Sequence, residues 1–346
     1  MNNLSVIMCS LFISYFCRMN GIKFNSLFAF VFFGFTLLHS CRPKAPEVSH
    51  VNPNVSIGHF DHAFFTMDST DFEKELEQLR LDFPDFFNPS QDNEVLKDRY
   101  FDPQIRELYA SVDSIFSDLD SLDVELLKSF QYLYHYFPDL EKVKVYTWVS
   151  NFESLDPVLV SGQTLLISLD LYLGSEASFY KTAPDYIKQG FDKRYLLSDL
   201  YFAFFSTLIP LPEDNSLLAY MIHYGKIHYL TSLMLPSASE AEVMNYSETK
   251  MDWCTSNEAE VWAYFIDRKL LFSGNQESKR RFIEDAPFSK FNTSFDRATP
   301  GRIGQWMGWN IITSYMDNHP QISLSQLINE QSSQKILRES RYKPKP

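Results

Sequence analysis

Most of the chain alternates between apolar and polar positions with a readable period, but one stretch has no period at all. Tyr195–Ile209 (YLLSDLYFAFFSTLI) is apolar on every face, with Asp199 as its one charge. A helix that is apolar all round is buried all round, and this one is shorter than the ~20 residues a bilayer requires. The pattern predicts the central helix of a soluble domain, covered by the other elements.

The rest of the chain reads in order around it. Val55–Phe65 predicts a strand with His59, Asp61 and Ala63 on one face and Phe60 and His62 on the other. Asp71–Leu81 has helical spacing, and Phe83–Pro89 breaks it. Glu94–Phe116 and Val124–Tyr136 predict two amphipathic helices separated by the Asp-rich turn Asp118–Asp123. Val143–Val149 and Thr164–Leu173 predict strands, the second after a turn at Ser161-Gly162. Ala183-Pro184-Asp185 leads into a helix that ends near Gly190. Ser216–Leu235 and Ser247–Leu271 predict long helices. Thr299-Pro300 supplies an N-cap and a first-turn proline for a last large helix, in which Gly301, Gly304 and Gly308 share one stripe. Ser323–Asn329 predicts a short helix, and the basic tail Arg341–Pro346 reads as free. Strands early and helices late make the fold class α+β: mostly helical, with a small amino-terminal sheet packed by a helical bundle.

The amino terminus is read separately, as a targeting segment. Ser26–Leu38 is an apolar run preceded by Arg18 and Lys23, and it ends in Leu37-Leu38-His39-Ser40-Cys41. That ending resembles a bacterial lipoprotein signal, with lipid received by Cys41; His39 departs from the usual small residue. An uncleaved anchor is the alternative. Residues 1–18 read as a start-site artefact or a long leader, since Met19 makes a cleaner beginning. The expected division is a signal peptide over 1–40, a lipidated Pro-containing tether over 41–54, and one domain over 55–345.

Composition sharpens this only in places. With 31 Phe and 19 Tyr among 346 residues, the core is expected to be aromatic-rich. The net charge is −13, and losing Arg18 and Lys23 with the leader takes it to −15. No basic patch stands out, so nucleic acid is not an expected partner. Cys9 and Cys17 also leave with the leader, and Cys41 is modified. Cys254 then stands alone, without an intramolecular disulfide, and reads as a buried small hydrophobe.

Candidate chemistry is thin. His59 and His62 point to opposite sides of a strand, so they read as surface residues before they read as metal ligands. His223 and His228 are five residues apart, about 140° around a helix, and cannot chelate one ion from one face. The Asp118–Asp123 run lacks the glycine and terminal glutamate of a calcium loop. Asp170 either ends its strand as a functional carboxylate or caps the following turn. Glu258 falls within the apolar pattern of its helix, an unusual place for a charge. No catalytic residue, cofactor or metal ligand is expected.

Four runs carry a family resemblance: ISLDLYLG (Ile167–Gly174), NEAEVWAYFID (Asn257–Asp267), APFSKF (Ala286–Phe291) and GRIGQWMGWNIITSYM (Gly301–Met316). Together they resemble the gliding-motility lipoprotein GldB family of Bacteroidota, over roughly residues 55–345. The resemblance implies a lipid-anchored, periplasm-facing envelope protein. It would support gliding and type IX secretion, with envelope proteins of that machinery as partners; separately, Arg42 after Cys41, where Asp would signal inner-membrane retention, favours the outer membrane. That family in turn resembles, distantly, zinc peptidases of the gluzincin type. By position, Thr164–Leu173 would be the edge strand, Tyr195–Ile209 the metal helix and Glu258 the late glutamate. The metal helix carries Phe202, Ala203, Phe204 and Phe205 where two imidazoles and a base would stand, which implies a degenerate, zincin-like scaffold without catalysis. The rival expectation is a hydrolase using Asp170, Asp199 and Glu258.

Overall fold

The computed structural model describes residues 45–87, 92–292 and 296–345. Cys41 and the whole predicted leader lie outside the described residues. The element order starts β1 (Val55–His59), α1 (Phe60–Phe65), α2 (Phe72–Asp82), α3 (Asn93–Phe101), α4 (Pro103–Ile115) and α5 (Leu119–Tyr136). Three strands follow: β2 (Val143–Trp148), β3 (Val158–Ser161) and β4 (Thr164–Ser168). The helical part comprises α6 (Asp185–Lys188), α7 (Leu196–Leu208), α8 (Leu217–Met234), α9 (Glu240–Met244), α10 (Glu248–Ser256), α11 (Glu258–Asp267), α12 (Gln276–Phe282), α13 (Ile303–Asn318), α14 (Leu324–Asn329) and α15 (Ser333–Ser340). The fold is the mostly helical α+β class expected, with a small sheet near the amino-terminal side.

Several boundaries differ from the expected ones, each for a local reason. The first strand stops at His59, and Phe60–Phe65 turns helical. The single helix expected over Glu94–Phe116 is two. Asp102 accepts hydrogen bonds from the backbone N–H groups of Gln104 and Ile105, and Pro103 stands at the first position of the new helix. The Asp118–Asp123 turn is instead the first turn of α5, capped by the Asp118 side chain. The helix expected over Ser247–Leu271 breaks at Asn257. The last large helix starts at Ile303, not behind Thr299; Thr299 instead donates to Ser289 O at 2.6 Å.

The sheet runs β1-β2-β4-β3. β1 and β2 are parallel, with Val55 opposite Val143; β2 and β4 are parallel, with Val145 opposite Leu165; β3 is antiparallel to β4. The strand over Thr164–Leu173 is therefore shorter than expected and internal, not an edge. β3, unread in the sequence, holds the edge, and Gly162 makes the tight turn into β4 with φ of 57°. Along β2, buried Val143, Val145 and Thr147 alternate with half-buried Lys144, Tyr146 and Trp148. The buried side joins Leu126, Phe130 and Leu133 of α5 and Tyr201, Phe204 and Phe205 of α7 in one core.

The most deeply buried helix is α8, not α7. Leu217, Leu218, Met221 and Ile222 in its first half belong to a second core with α9–α13. Ile227, Leu230 and Met234 in its second half belong to the sheet-side core. α8 thus joins the two cores, and α7 covers β3 and β4 from one side. Lys226, on α8, is also buried; its ammonium donates to the carbonyls of Glu330 at 2.6 Å and Ile328 at 3.3 Å, capping the end of α14.

α8 packs closely on α13. A Cβ added at Gly308 would lie 1.8 Å from Met221 O, and one at Gly225 would lie 2.3 Å from the Gly308 carbonyl carbon. Of the glycine stripe read in the sequence, Gly308 makes this contact, whereas Gly301 faces the Ala286 backbone and Gly304 faces Phe282 O. Gly308→Ala is expected to cost roughly 3 kcal/mol, the range of overpacked sites. Gly274→Ala, whose methyl would meet only Asn215 O at 3.9 Å, should stay within about 0.5 kcal/mol. Urea unfolding of the two variants beside wild type measures both.

Candidate functional site

A cleft of about 770 Å³ opens where α7, the β3 edge and the loops around Asn245 and Arg302 meet. α7 presents Asp199, Phe202, Ala203, Ser206 and Thr207 to it, and α8 presents His228. Phe202 and Ala203 are only half-buried, while Ser206 and Thr207 are exposed. The helix is therefore apolar on two sides for two reasons: one side packs against the sheet and the other lines the cleft. This corrects the expectation of burial on every face.

Asp199 stands in the first turn of α7. Its Oδ1 accepts from Asn245 Nδ2 and its Oδ2 from the Tyr172 hydroxyl, both at 3.1 Å. Desolvation raises its pKa to about 7, against the lowering effect of those two bonds and of Arg302. Asn245 is placed by the left-handed end of α9, with φ of 51°. Arg302, also left-handed, pairs with Asp285 at 2.9 Å and donates to the Met244 and Asn245 carbonyls at 3.1 and 3.3 Å. It therefore fixes the loop that carries Asn245. Tyr195 donates to Tyr246 O at 2.8 Å, and Tyr246 donates to Gly301 O, so the same loop is bonded from both sides.

His228, from α8, lines the cleft beside Phe202 of α7. Gln305 donates through Nε2 to Ile283 O at 2.7 Å, which leaves its Oε1 to accept from His228 Nε2 at 2.9 Å. That orientation of Gln305 favours the His228 ring proton on Nε2. Burial lowers its pKa to about 4, so the ring is neutral. Phe202 and Trp309 flank it, with ring centres at 5.2 and 6.1 Å.

The other residues read from the sequence lie elsewhere. His59 Nδ1 meets Thr147 Oγ1 at 3.1 Å and its Nε2 meets Asp123 at 3.0 Å, whereas His62 Nδ1 meets the Tyr109 hydroxyl at 3.3 Å. The two imidazoles are thus spent on different partners. Asp61, overlooked in the sequence, is buried and accepts from Thr147 Oγ1. Asp170 follows β4 and is fully buried. It accepts from Ser150 N at 2.7 Å, Ser150 Oγ at 2.8 Å and Phe152 N at 3.3 Å. It therefore holds the turn with left-handed Asn151 and Phe152, which follows the neighbouring strand β2, and not the turn after its own strand.

Glu258, buried in the first turn of α11, accepts from the Tyr342 hydroxyl at 2.6 Å. The tail expected to be free is docked there, with Tyr342 edge-on to Trp262. His223 meets Pro210 O at 3.2 Å, and Cys254 is fully buried, its thiol pushed far above the usual range by desolvation. Of the three acids proposed for a hydrolase, only Asp199 lines the cleft. Among the described residues, no group of three His, Cys, Asp or Glu side chains could hold a metal ion.

Asn245, Asp285 and Arg302 had not been singled out. An Asn just before a Ser-led helix start (Asn245-Tyr246-Ser247) is a readable helix-end signal; nothing in sequence spacing relates Asp285 to Arg302.

The geometry defines a class: a mostly helical α+β domain with a cleft beside a sheet edge. The family follows from the sequence. A family model described as gliding motility protein GldB matches residues 41–344, so the chain belongs to the GldB family of gliding-motility lipoproteins. That membership implies a role in gliding motility. No curated protein and no solved structure matches, so the zinc-peptidase likeness rests on sequence resemblance alone. Among the described residues, no helix is long and apolar enough to cross a membrane.

Asp199 gives a pH-dependent signature. Its folded pKa is raised from an ordinary 3.8 to about 7, so between these values the folded chain keeps a proton that the unfolded chain releases. The stability this contributes is present in full below about pH 4 and is lost as pH rises towards and through 7. Asp199→Asn should therefore gain stability relative to wild type from about pH 5 to about pH 8. Urea midpoints across that range test this; a constant difference would refute the buried-acid assignment.

Proposed function

We propose that this chain is a lipid-anchored envelope protein that supports gliding and type IX secretion by holding a segment of another envelope protein in its cleft, without turnover. The observation that carries the reading is the cleft wall formed by α7. Phe202 and Ala203 face the cleft, and Asp199, the acid that α7 presents there, is hydrogen-bonded by neutral donors. Such a wall offers apolar contact and a few fixed polar groups, the make-up of a binding site. Anchoring through Cys41 would keep the domain at the membrane facing the periplasm, with the outer membrane favoured. No cofactor, metal or nucleic acid is part of the reading.

One observation favours a second reading, a hydrolase. A carboxyl that titrates near neutrality inside a cleft suits proton transfer. Against it, Asp170 and Glu258 are bonded elsewhere, and Asp285, whose charge acts on Asp199, is ion-paired to Arg302 at 2.9 Å.

In a strain lacking the gene, the wild-type copy should restore colony spreading and export. Ala203→Trp, which fills the cleft, should restore neither while melting at the wild-type temperature. Full restoration by a folded Ala203→Trp would remove the cleft from the function. Cys41→Ser should leave the membrane fraction; an unchanged fraction would argue against lipid attachment.

A further inference from the structure

The strand order leaves β3 at one end of the sheet. Its pairing with β4 is closed by the two-residue turn Gly162-Gln163, with Ser161 opposite Thr164 and Leu159 opposite Leu166. In an antiparallel ladder, the pair flanking such a turn exchanges both hydrogen bonds and the next pair exchanges none. Ser168 N donates to Pro157 O at 2.9 Å, in phase with that alternation. Val158 and Val160 therefore aim their N–H and C=O groups away from β4. Residues 155–160 line the cleft consecutively, not alternately, so the strand presents its edge to the cleft and not one face.

The charges near that edge are unevenly satisfied. Arg302 is paired with Asp285 at 2.9 Å and Arg194 with Asp192 at 3.3 Å, and Lys250 donates to Gln189 Oε1 at 3.1 Å. Asp199 receives only the neutral donors Asn245 and Tyr172, one on each oxygen, and each oxygen can accept another bond. The whole chain carries −13, which draws in partners of opposite sign.

We propose that the guest is an extended segment of a partner protein that adds a strand to β3 and sets a lysine or arginine side chain against Asp199. This rests on the reading of the cleft as a binding site and names the chemistry of its occupant. Main-chain bonds to Val158 and Val160 supply affinity without sequence preference, and the cation at Asp199 supplies selection. A cationic guest favours the ionised carboxyl, so its binding tightens as pH rises through neutrality. The other charged or titratable groups around Asp199 are Arg302, Asp285 and Tyr172. Arg302 and Asp285 offset each other, and Tyr172 stays protonated because burial raises its pKa well above the ordinary value.

The test uses the full chain in detergent micelles and fluorescent ten-residue peptides of alternating Val and Thr with Lys, Gln or Glu at the centre. Fluorescence polarisation should show the Lys peptide binding roughly tenfold tighter than the Gln peptide, a difference of about 1.4 kcal/mol, and tightening from about pH 6 to about pH 8. Asp199→Asn should erase both the preference and the pH slope. Val160→Pro removes an outward N–H without breaking the ladder to β4, and should cut binding tenfold or more. Lys peptides N-methylated at alternate residues ask the same question without touching the protein; one of the two registers should lose binding. Equal binding of Lys and Gln peptides, or indifference to both Val160→Pro and N-methylation, overturns the proposal. If no peptide binds, the proposal also falls, and the Ala203→Trp result in cells decides separately whether the cleft matters.

Discussion

The contact on which the structure depends is the meeting of α8 and α13 at Gly225 and Gly308. Two helix backbones approach so closely that a single methyl would overlap a carbonyl. Nothing larger than glycine fits, so the distance and register of the pair are set by backbone atoms and not by adjustable side chains. α8 carries residues of both cores, so this contact also sets one core against the other. The cleft inherits that precision. His228 comes from α8, its Gln305 partner from α13, and Arg302 from the residue just before α13. The positions of His228 and Arg302 in the cleft are thereby set by this helix pair.

Much of this was legible in the sequence. Gly308 announced a close backbone approach, although its partner Gly225 was not read and Gly301 and Gly304 meet other segments. Val143–Trp148 was readable because β-branched and aromatic residues alternated. The errors have physical reasons. An apolar residue that lines a cleft looks the same in sequence as one that fills a core, so Phe202 and Ala203 made α7 read as the centre. β3 is four residues long and follows Pro157, too short to show a period. The break at Pro103 carried its own signal in Asp102, an N-cap immediately before a proline. The break at Asn257 carried one too, in the polar run Thr255-Ser256-Asn257 followed by Glu258 and Glu260 in a new first turn.

The buried acids show why burial of a charge is weak evidence of chemistry. Asp61 and Asp170 have carboxyls raised by desolvation, as Asp199 does. Asp170 receives three hydrogen bonds from one turn and bends it into two consecutive left-handed residues. Glu258 anchors the carboxy-terminal segment through Tyr342. These are structural staples, and a perturbed carboxyl alone would have nominated Asp61 and Asp170 as readily as Asp199. What separates Asp199 is access: it is the one among them whose carboxyl also borders open space.

An exposed sheet edge is a hazard, because its free N–H and C=O groups invite any extended chain, including another copy of the same protein. β1 closes one end of this sheet beside a cluster of Phe60, Phe83 and Phe86. β3 closes the other end differently: it is short, and its edge lies in a cleft whose opposite side is built of helix and ion-paired loops. A second folded copy would have to bring its own sheet into that space, whereas a single extended segment needs only one strand's width, about 4.8 Å. The arrangement therefore discriminates by shape, against folded sheets and in favour of flexible segments. A charge preference at Asp199 can then be modest and still suffice, because steric exclusion has already removed most competitors.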